Sequence, residues 1–267
     1  MMSATTSHKN SHNNKNSIKY GISDAETLDK DKTFSEFLLQ IRSHFNHNRD
    51  TIHKARNELK TISYAGIDTV VKSFKIPNFF NRIIYTFFRD SKAKKSYEYS
   101  LKIKEFTPEA IGYIEFYNSF LLKDSYFVSQ KFDYDFTIRE PLLDKSFIDR
   151  EEIFKAFAKF TFELHENNIF HDDYSPGNIL IKKENGAFIF KIVDINRMSF
   201  FTLSESDRAK NFSKLWADDE ILTLIANEYQ KHHKYSEAFT KKVLYYSNKN
   251  KKIKNFKKRL KGKKVDA

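Results

Sequence analysis

The sequence contains no cysteine in 267 residues. That excludes disulfides, thiol nucleophiles and cysteine metal ligands, and it fits a reducing compartment. No apolar run approaches the roughly 18–20 residues needed to cross a bilayer. The opening stretch MMSATTSHKNSHNNKN has no apolar centre and does not read as a secretory signal. Its Asn, Ser, His and Lys content cannot support burial, so residues 1–30 are expected to be a disordered polar tail. There is no internal repeat. What the chain does have is 40% hydrophobic and 16% aromatic residues, with 27 Phe against a single Trp. A packed body is therefore expected, as one two-lobed domain or two small ones. The net charge of +12 points to an anionic partner: nucleic acid, a phosphate-bearing substrate or an acidic membrane surface.

Phe34, Phe37, Leu38, Ile41 and Phe45 recur at helical spacing and predict one amphipathic helix over Thr33–Asn46. Glu58–Tyr64 and Thr69–Phe74 read as strands around a turn at Ala65-Gly66-Ile67-Asp68, with Pro77 ending the segment. Ser91 can cap a helix that runs to about Phe106, where Thr107-Pro108 stops it. Ile111–Phe120 and Ser125–Phe132 are rich in strand formers, and Leu122-Lys123-Asp124 reads as their connection. Asp149 can cap a helix over Arg150–His165 that turns Ile153, Phe154, Phe157, Phe160, Phe162 and Leu164 mostly inward. Two short strands follow, Ile179–Lys183 and Phe188–Val193, joined by Glu184-Asn185-Gly186. From Ser204 onward the chain reads as helical and ends in lysines. Strands with one helix come first and helices follow, so the expected class is α+β.

Between the Phe-rich helix and the two short strands stands His171-Asp172-Asp173-Tyr174-Ser175-Pro176-Gly177-Asn178, and Asp194 follows the second strand. Phosphoryl transfer requires a carboxylate at the acceptor hydroxyl and oxygen ligands for the magnesium that bridges the phosphates. Asp173 and Asn178, spaced Asp-x4-Asn, put a base and a metal ligand on one loop. Asp194 would be a second metal ligand. Each has an ordinary alternative as a cap or turn residue; their order and setting favour chemistry.

This pattern resembles the protein-kinase-like superfamily, whose catalytic loop is His-x-Asp-x4-Asn and whose metal aspartate follows a short hairpin. The resemblance implies a two-lobed protein-kinase-like fold with a small β-rich N-lobe and a larger helical C-lobe. It implies ATP and Mg2+ as cofactors, Asp173 as catalytic base, Asn178 and Asp194 as metal ligands, and His171 as support for the loop. It also asks for a strand lysine at the nucleotide phosphates and a helix glutamate to hold it. Lys72 in Val70-Val71-Lys72-Ser73-Phe74 supplies the first, and Glu98 supplies the second, with Glu105 as competitor. The expected division is a catalytic domain over residues 31–247, with an N-lobe at about 48–132 and a C-lobe at about 133–247. Residues 248–267 would then be a separate basic tail.

Several features depart from protein kinases. No Gly-x-Gly-x-x-Gly precedes Lys72, and Gly66 is the one glycine nearby. Asp172 replaces the arginine usual before the catalytic aspartate, which argues against control by a phosphorylated activation loop. Ile195-Asn196-Arg197 follows Asp194 in place of Phe-Gly, and no Ala-Pro-Glu segment comes after it. The parts that grip peptide substrates look absent.

A narrower resemblance covers roughly Ser63–Phe200. Val-Val-Lys-Ser-Phe, the helix start Ser-Lys-Ala-Lys-Lys, His-x-Asp-x4-Asn-Ile-Leu-Ile and Val-Asp-Ile-Asn-Arg-Met are similar to segments of bacterial lipopolysaccharide core kinases. That family implies phosphorylation of Kdo (3-deoxy-octulosonic acid) or heptose in the inner core. It implies a peripheral enzyme on the cytoplasmic face of the inner membrane of a Gram-negative cell, with the core glycolipid as partner. The ten Lys or Arg within Asn248–Lys264, and the line Ile253, Phe256, Leu260, form a basic amphipathic pattern suited to an anionic membrane surface. A solvated lysine-rich end is the plainer alternative. Nucleic acid is disfavoured as a partner because no aromatic-basic recognition motif accompanies the tail. Other expectations stay open: a kinase of another small molecule or of protein, or a pseudokinase scaffold at an anionic surface.

Overall fold

Apolar residues alternate along Ile18, Tyr20 and Ile22, and this alternation draws the polar N-terminal segment into a sheet. In a computed structural model, which describes residues 6–9, 16–23, 31–54, 57–74, 78–233, 238–260 and 262, the chain divides into two compact units, Met1–Phe132 and Asp133–Ala267. The first unit opens with β1 (Thr6–Lys9) and β2 (Asn16–Ile22). These correct the expectation of disorder for residues 6–9 and 16–22; the rest of that expected tail, apart from Ser23, lies outside the described residues. Tyr20 is buried, and Ile18 and Ile22 pack against the same core, so a short period-2 pattern outweighs the polar composition around it.

Next come α1 (Asp31–Leu39) and α2 (Ile41–His47), two helices where the sequence predicts one, with the break at Gln40. The five predicted apolar residues are nonetheless all buried. Strands β3 (Thr51–Lys54), β4 (Glu58–Tyr64) and β5 (Ile67–Phe74) follow. The β4–β5 connection is the two-residue turn Ala65-Gly66, both with positive φ, as in a type I′ hairpin. Pro77 lies outside the described residues. A helix that the sequence reading missed, α3 (Phe79–Phe87), precedes α4 (Lys92–Ile103), which is capped as predicted by Ser91 accepting from Lys94 N–H at 3.1 Å.

The unit closes with β6 (Ala110–Asn118) and β7 (Leu121–Gln130). Their connection is Ser119-Phe120, both left-handed, and not Leu122-Lys123-Asp124. Positive φ in a Ser-Phe pair carries no sequence signal, whereas Lys-Asp resembles a turn and misleads. All seven strands pair antiparallel in the order β1-β2-β6-β7-β5-β4-β3. Phe34, Phe37, Leu38, Ile41 and Phe45 pack with Val71 and Val128 on one face. Phe74, Ala93, Tyr97, Ala110 and Tyr113 form a second cluster, which brings α4 onto the other face.

The second unit carries β8 (Phe136–Thr137), α5 (Arg139–Leu143) and α6 (Arg150–Glu166). Asp149 does not cap α6: it is left-handed and its carboxylate takes Lys183 instead. The apolar residues predicted to face inward are buried, apart from the half-buried Phe162. Then come β9 (Ile169–His171), β10 (Ile179–Glu184), β11 (Ala187–Ile192) and β12 (Met198–Phe200). The helices α7 (Glu205–Asn211), α8 (Asp219–Gln230) and α9 (Phe239–Leu260) complete the unit. Strands β11-β10-β8 form one small sheet and β12-β9 another. Of the expected separate tail over residues 248–267, the part through Leu260 is instead the second half of α9, and residues 261 and 263–267 lie outside the described residues. Asn250 Nδ2 donates to Ser213 O and Lys251 Nζ to Ala217 O, each at 2.7 Å, which ties the helix to its own unit.

Candidate active site

Helix α6 stops at Asn167-Asn168, where Asn168 is left-handed, a conformation asparagine tolerates well at a helix end. The chain then turns inward, and β9 buries His171. His171 Nε2 donates to Val193 O at 3.1 Å and its Nδ1 accepts the N–H of Asp173 at 3.0 Å. Both bonds need the neutral ring with its proton on Nε2. Burial, the largest influence, pushes the imidazole below its usual range and keeps it in that form. One side chain thus ties the loop at Asp173 to the end of β11.

The rest of the loop is held as tightly. Tyr174 is fully buried, donates its hydroxyl to Thr161 Oγ1 at 2.9 Å and stacks on Phe157. Burial raises its pKa, so it stays a neutral donor. Asn178 Nδ2 donates to Asp173 O at 2.9 Å, closing the Asp-x4-Asn loop across its own span. Val193 N–H donates to Asn178 O at 2.9 Å, so the residue that follows, Asp194, leaves β11 beside Asn178. Asp194 has φ 58, a left-handed conformation that aspartate accepts more readily than most residues, and its Oδ1 takes Asn196 Nδ2 at 2.6 Å. At Gly177 a Cβ would meet Arg139 Nη2 at 2.5 Å, so glycine lets that guanidinium lie against the loop.

The structure therefore brings His171, Asp173, Asn178 and Asp194 together in the second unit. It also adds residues that sequence reasoning missed. Strand β12 pairs with β9, setting Met198 opposite His171. That register lets Arg197 Nη1 reach Asp173 Oδ2 at 3.2 Å and Ser199 Oγ reach Asp172 Oδ2 at 3.0 Å. Asp172, where an arginine was expected, thus anchors the loop to β12. Arg197 stood in the sequence only as a departure from Phe-Gly. The pairing of two three-residue strands is what gives it a role.

Lys72 and Glu98 belong to the first unit. Lys72 is half-buried on β5, and its Nζ lies 5.4 Å from the Phe74 ring centroid. With Phe74 two residues on, it shares the sheet face that receives α4. Glu98 on α4 is exposed, with Lys94 Nζ 3.6 Å from its Oε1. It also lines a cavity of about 690 Å³ with Arg89, Lys94, Tyr113 and Glu115. Burial, reinforced by Glu115, pushes the Tyr113 hydroxyl up to about 12.

Among the described residues no group of three or more His, Cys, Asp or Glu could hold a metal ion alone. Magnesium seldom needs one: it takes one or two protein oxygens and completes its shell with phosphates and water. The donor set here fits that habit. Asn178 has its amide nitrogen committed to Asp173 O, which turns its carbonyl oxygen away from that bond, and Asp194 offers a carboxylate.

No protein-family model matches the sequence, and no curated protein matches it either. Solved structures do. The WaaP chain in a structure of WaaP in complex with acyl carrier protein aligns over 83% of this chain and 97% of its own length, with TM-score 0.55 and 12% identity. This chain shares the WaaP fold. The Rio2 kinase–ADP/Mg2+-phosphoaspartate complex from Chaetomium thermophilum aligns over 79% of this chain and 66% of its own, with TM-score 0.45 and 14% identity. The fold is α+β, with an antiparallel sheet first and a mostly helical part after it. At 12% identity the likeness to WaaP is one of fold.

Proposed function

We propose that the protein is an ATP- and magnesium-dependent kinase that phosphorylates a hydroxyl of an inner-core lipopolysaccharide sugar, Kdo or heptose. The observation that carries the reading is the pinned loop from His171 to Asn178, closed onto the strand that ends before Asp194. In this reading Asp173 accepts the proton of the attacking hydroxyl, and Arg197 holds its carboxylate in place. His171 and Tyr174 fix the loop backbone, which sets where that carboxylate stands. Asn178 and Asp194 would hold Mg2+, whose charge offsets that of the phosphates during transfer. Lys72 would contact the nucleotide phosphates, with Glu98 to orient it.

Three things support the acceptor class: the short segments similar to lipopolysaccharide core kinases, the shared fold with WaaP, and the net charge of +12. A cytoplasmic, peripheral position on the inner membrane of a Gram-negative bacterium is part of the same proposal. No helix among the described residues is long and apolar enough to cross a membrane.

Asp173→Asn tests the reading. It should lower kcat on core oligosaccharide by about 10²–10⁴-fold, the usual worth of a positioned base, while Mg-ATP affinity measured by calorimetry stays nearly unchanged. Turnover close to wild type would remove Asp173 from the base's place.

A further inference from the structure

The second half of α9 has two opposite faces. At about 100° per residue, Lys254 and Lys258 lie roughly 150° around the helix from Ile253, Phe256 and Leu260. The apolar three are exposed. Lys254, itself exposed, and the half-buried Lys258 lie over Trp216: Lys254 Nζ stands 4.9 Å and Lys258 Nζ 5.9 Å from its ring centroid. The segment below them is fixed. A 3-10 turn spans Phe212–Lys214, and Asn250 and Lys251 bond the carbonyls of Ser213 and Ala217 on either side of Trp216. Trp216 itself has φ 59, unusual for so bulky a residue, and 37% of it remains open to solvent. A strained, half-exposed indole between two anchored carbonyls is a built surface, and constraints of this kind gather at binding sites.

Positive charge is crowded on this surface. Burial acts first to hold the Lys254 ammonium below its ordinary range. Lys214 and Lys258 push the same way, and the Asp173 carboxylate opposes them. The surface is tied to the loop that carries Asp173: Asn211, which leads into the 3-10 turn, donates its Nδ2 to His171 O at 2.9 Å, and Trp216 follows in the same segment. An anion bound there would relieve the repulsion among the lysines.

We infer that Lys254 and Lys258, seated over Trp216, bind an anionic group of the acceptor, a phosphate or carboxylate on the sugar that receives the new phosphate. This rests on the kinase reading above and deepens it, because it gives α9 a part in holding the acceptor. Lysines on an aromatic ring are suited to holding an anion. The ring face steadies the ammonium groups, and each ammonium carries several N–H donors that can turn toward an anionic oxygen.

Trp216 is the sole tryptophan, so its emission reports on the seat without any turnover. The probes are deacylated core oligosaccharide carrying its phosphates, the same material after phosphatase treatment, and anionic phosphatidylserine vesicles. The phosphorylated oligosaccharide should change Trp216 emission saturably, and the dephosphorylated one should do so only at about tenfold higher concentration. In Lys254→Gln/Lys258→Gln, KM for the phosphorylated acceptor should rise about tenfold with kcat and KM for ATP little moved. Lys254→Arg/Lys258→Arg should recover most of the loss. A response to vesicles alone, or an unchanged KM in the glutamine variant, overturns the seat. A saturable response in wild type with no transfer to any sugar would instead sink the kinase reading and leave the seat standing.

Discussion

His165 is fully buried on α6 and links the loop at His171 to the helices behind it. Its Nδ1 accepts from Tyr229 Oη at 2.8 Å and its Nε2 donates to Asn211 Oδ1 at 3.0 Å. Asn211 Nδ2 in turn donates to His171 O at 2.9 Å. The chain of bonds needs a neutral imidazole. Burial lowers its pKa from 6.5 to about 4, with the charge of Arg208 acting in the same direction and the bond to Asn211 against both. Since the folded value lies below the unfolded one, protons favour the unfolded chain. The stabilisation is complete above pH 6.5 and is lost as pH falls from there toward 4. A shift of that size corresponds to about 3 kcal/mol, of which about 2 kcal/mol should be gone by pH 5. His171, also held neutral by burial, adds to the loss in the same direction. Urea unfolding at pH 7.5 and pH 5 should show it, and His165→Gln should start less stable and flatten the dependence. Equal midpoints for wild type at both pH values would mean that His165 is not held neutral in the fold. The histidine in the loop was legible from its place in the motif. The one behind it was not, because nothing local marks a histidine that meets partners 46 and 64 residues away.

At the scale of elements, α9 shows what spacing can and cannot tell. The line Ile253, Phe256, Leu260 is helical and exposed, as its period suggests. The attachment of that helix to Ser213 and Ala217 follows from partners more than thirty residues away. Deleting residues 248–267 should therefore destabilise the second unit by about 2 kcal/mol, from two lost side-chain-to-carbonyl bonds and the uncovering of Trp216. Thermal unfolding checks it, and an unchanged melting temperature would mean that the segment is not docked. Activity should fall on soluble and membrane-bound acceptor alike. Helices α3 and α4 make the same point from the other side. Ser91 before a polar start announces α4, while Phe79–Phe87 has an N-cap candidate in Asn78 but is built largely from Phe, Ile, Tyr and Thr, residues that favour strands, so its composition hides its helical period.

For the whole molecule the dominant fact is charge. A chain of +12 should bind phosphatidylserine vesicles in 0.1 M salt and lose at least tenfold of that affinity by 0.5 M, as the Debye length shrinks from about 10 Å toward a few. Phe256→Ser/Leu260→Ser should reduce the part that survives salt. Sedimentation with vesicles measures both, and binding indifferent to salt would remove the membrane surface as a partner.

The sequence by itself singled out His171, Asp173, Asn178 and Asp194, which the fold ties together, the apolar faces of α1, α2 and α6, and the order of a strand-rich part before a helical one. Those are local: a loop of eight residues, a period of 3.6 or 2, a turn with glycine. Only the tertiary structure decided that Asn16–Ile22 adds a strand to the sheet, that Arg197 meets Asp173, and that lysines of α9 settle on Trp216. Each of these depends on a contact between distant segments, made because burying apolar surface in one place brings particular polar groups together in another. No window of sequence contains both partners.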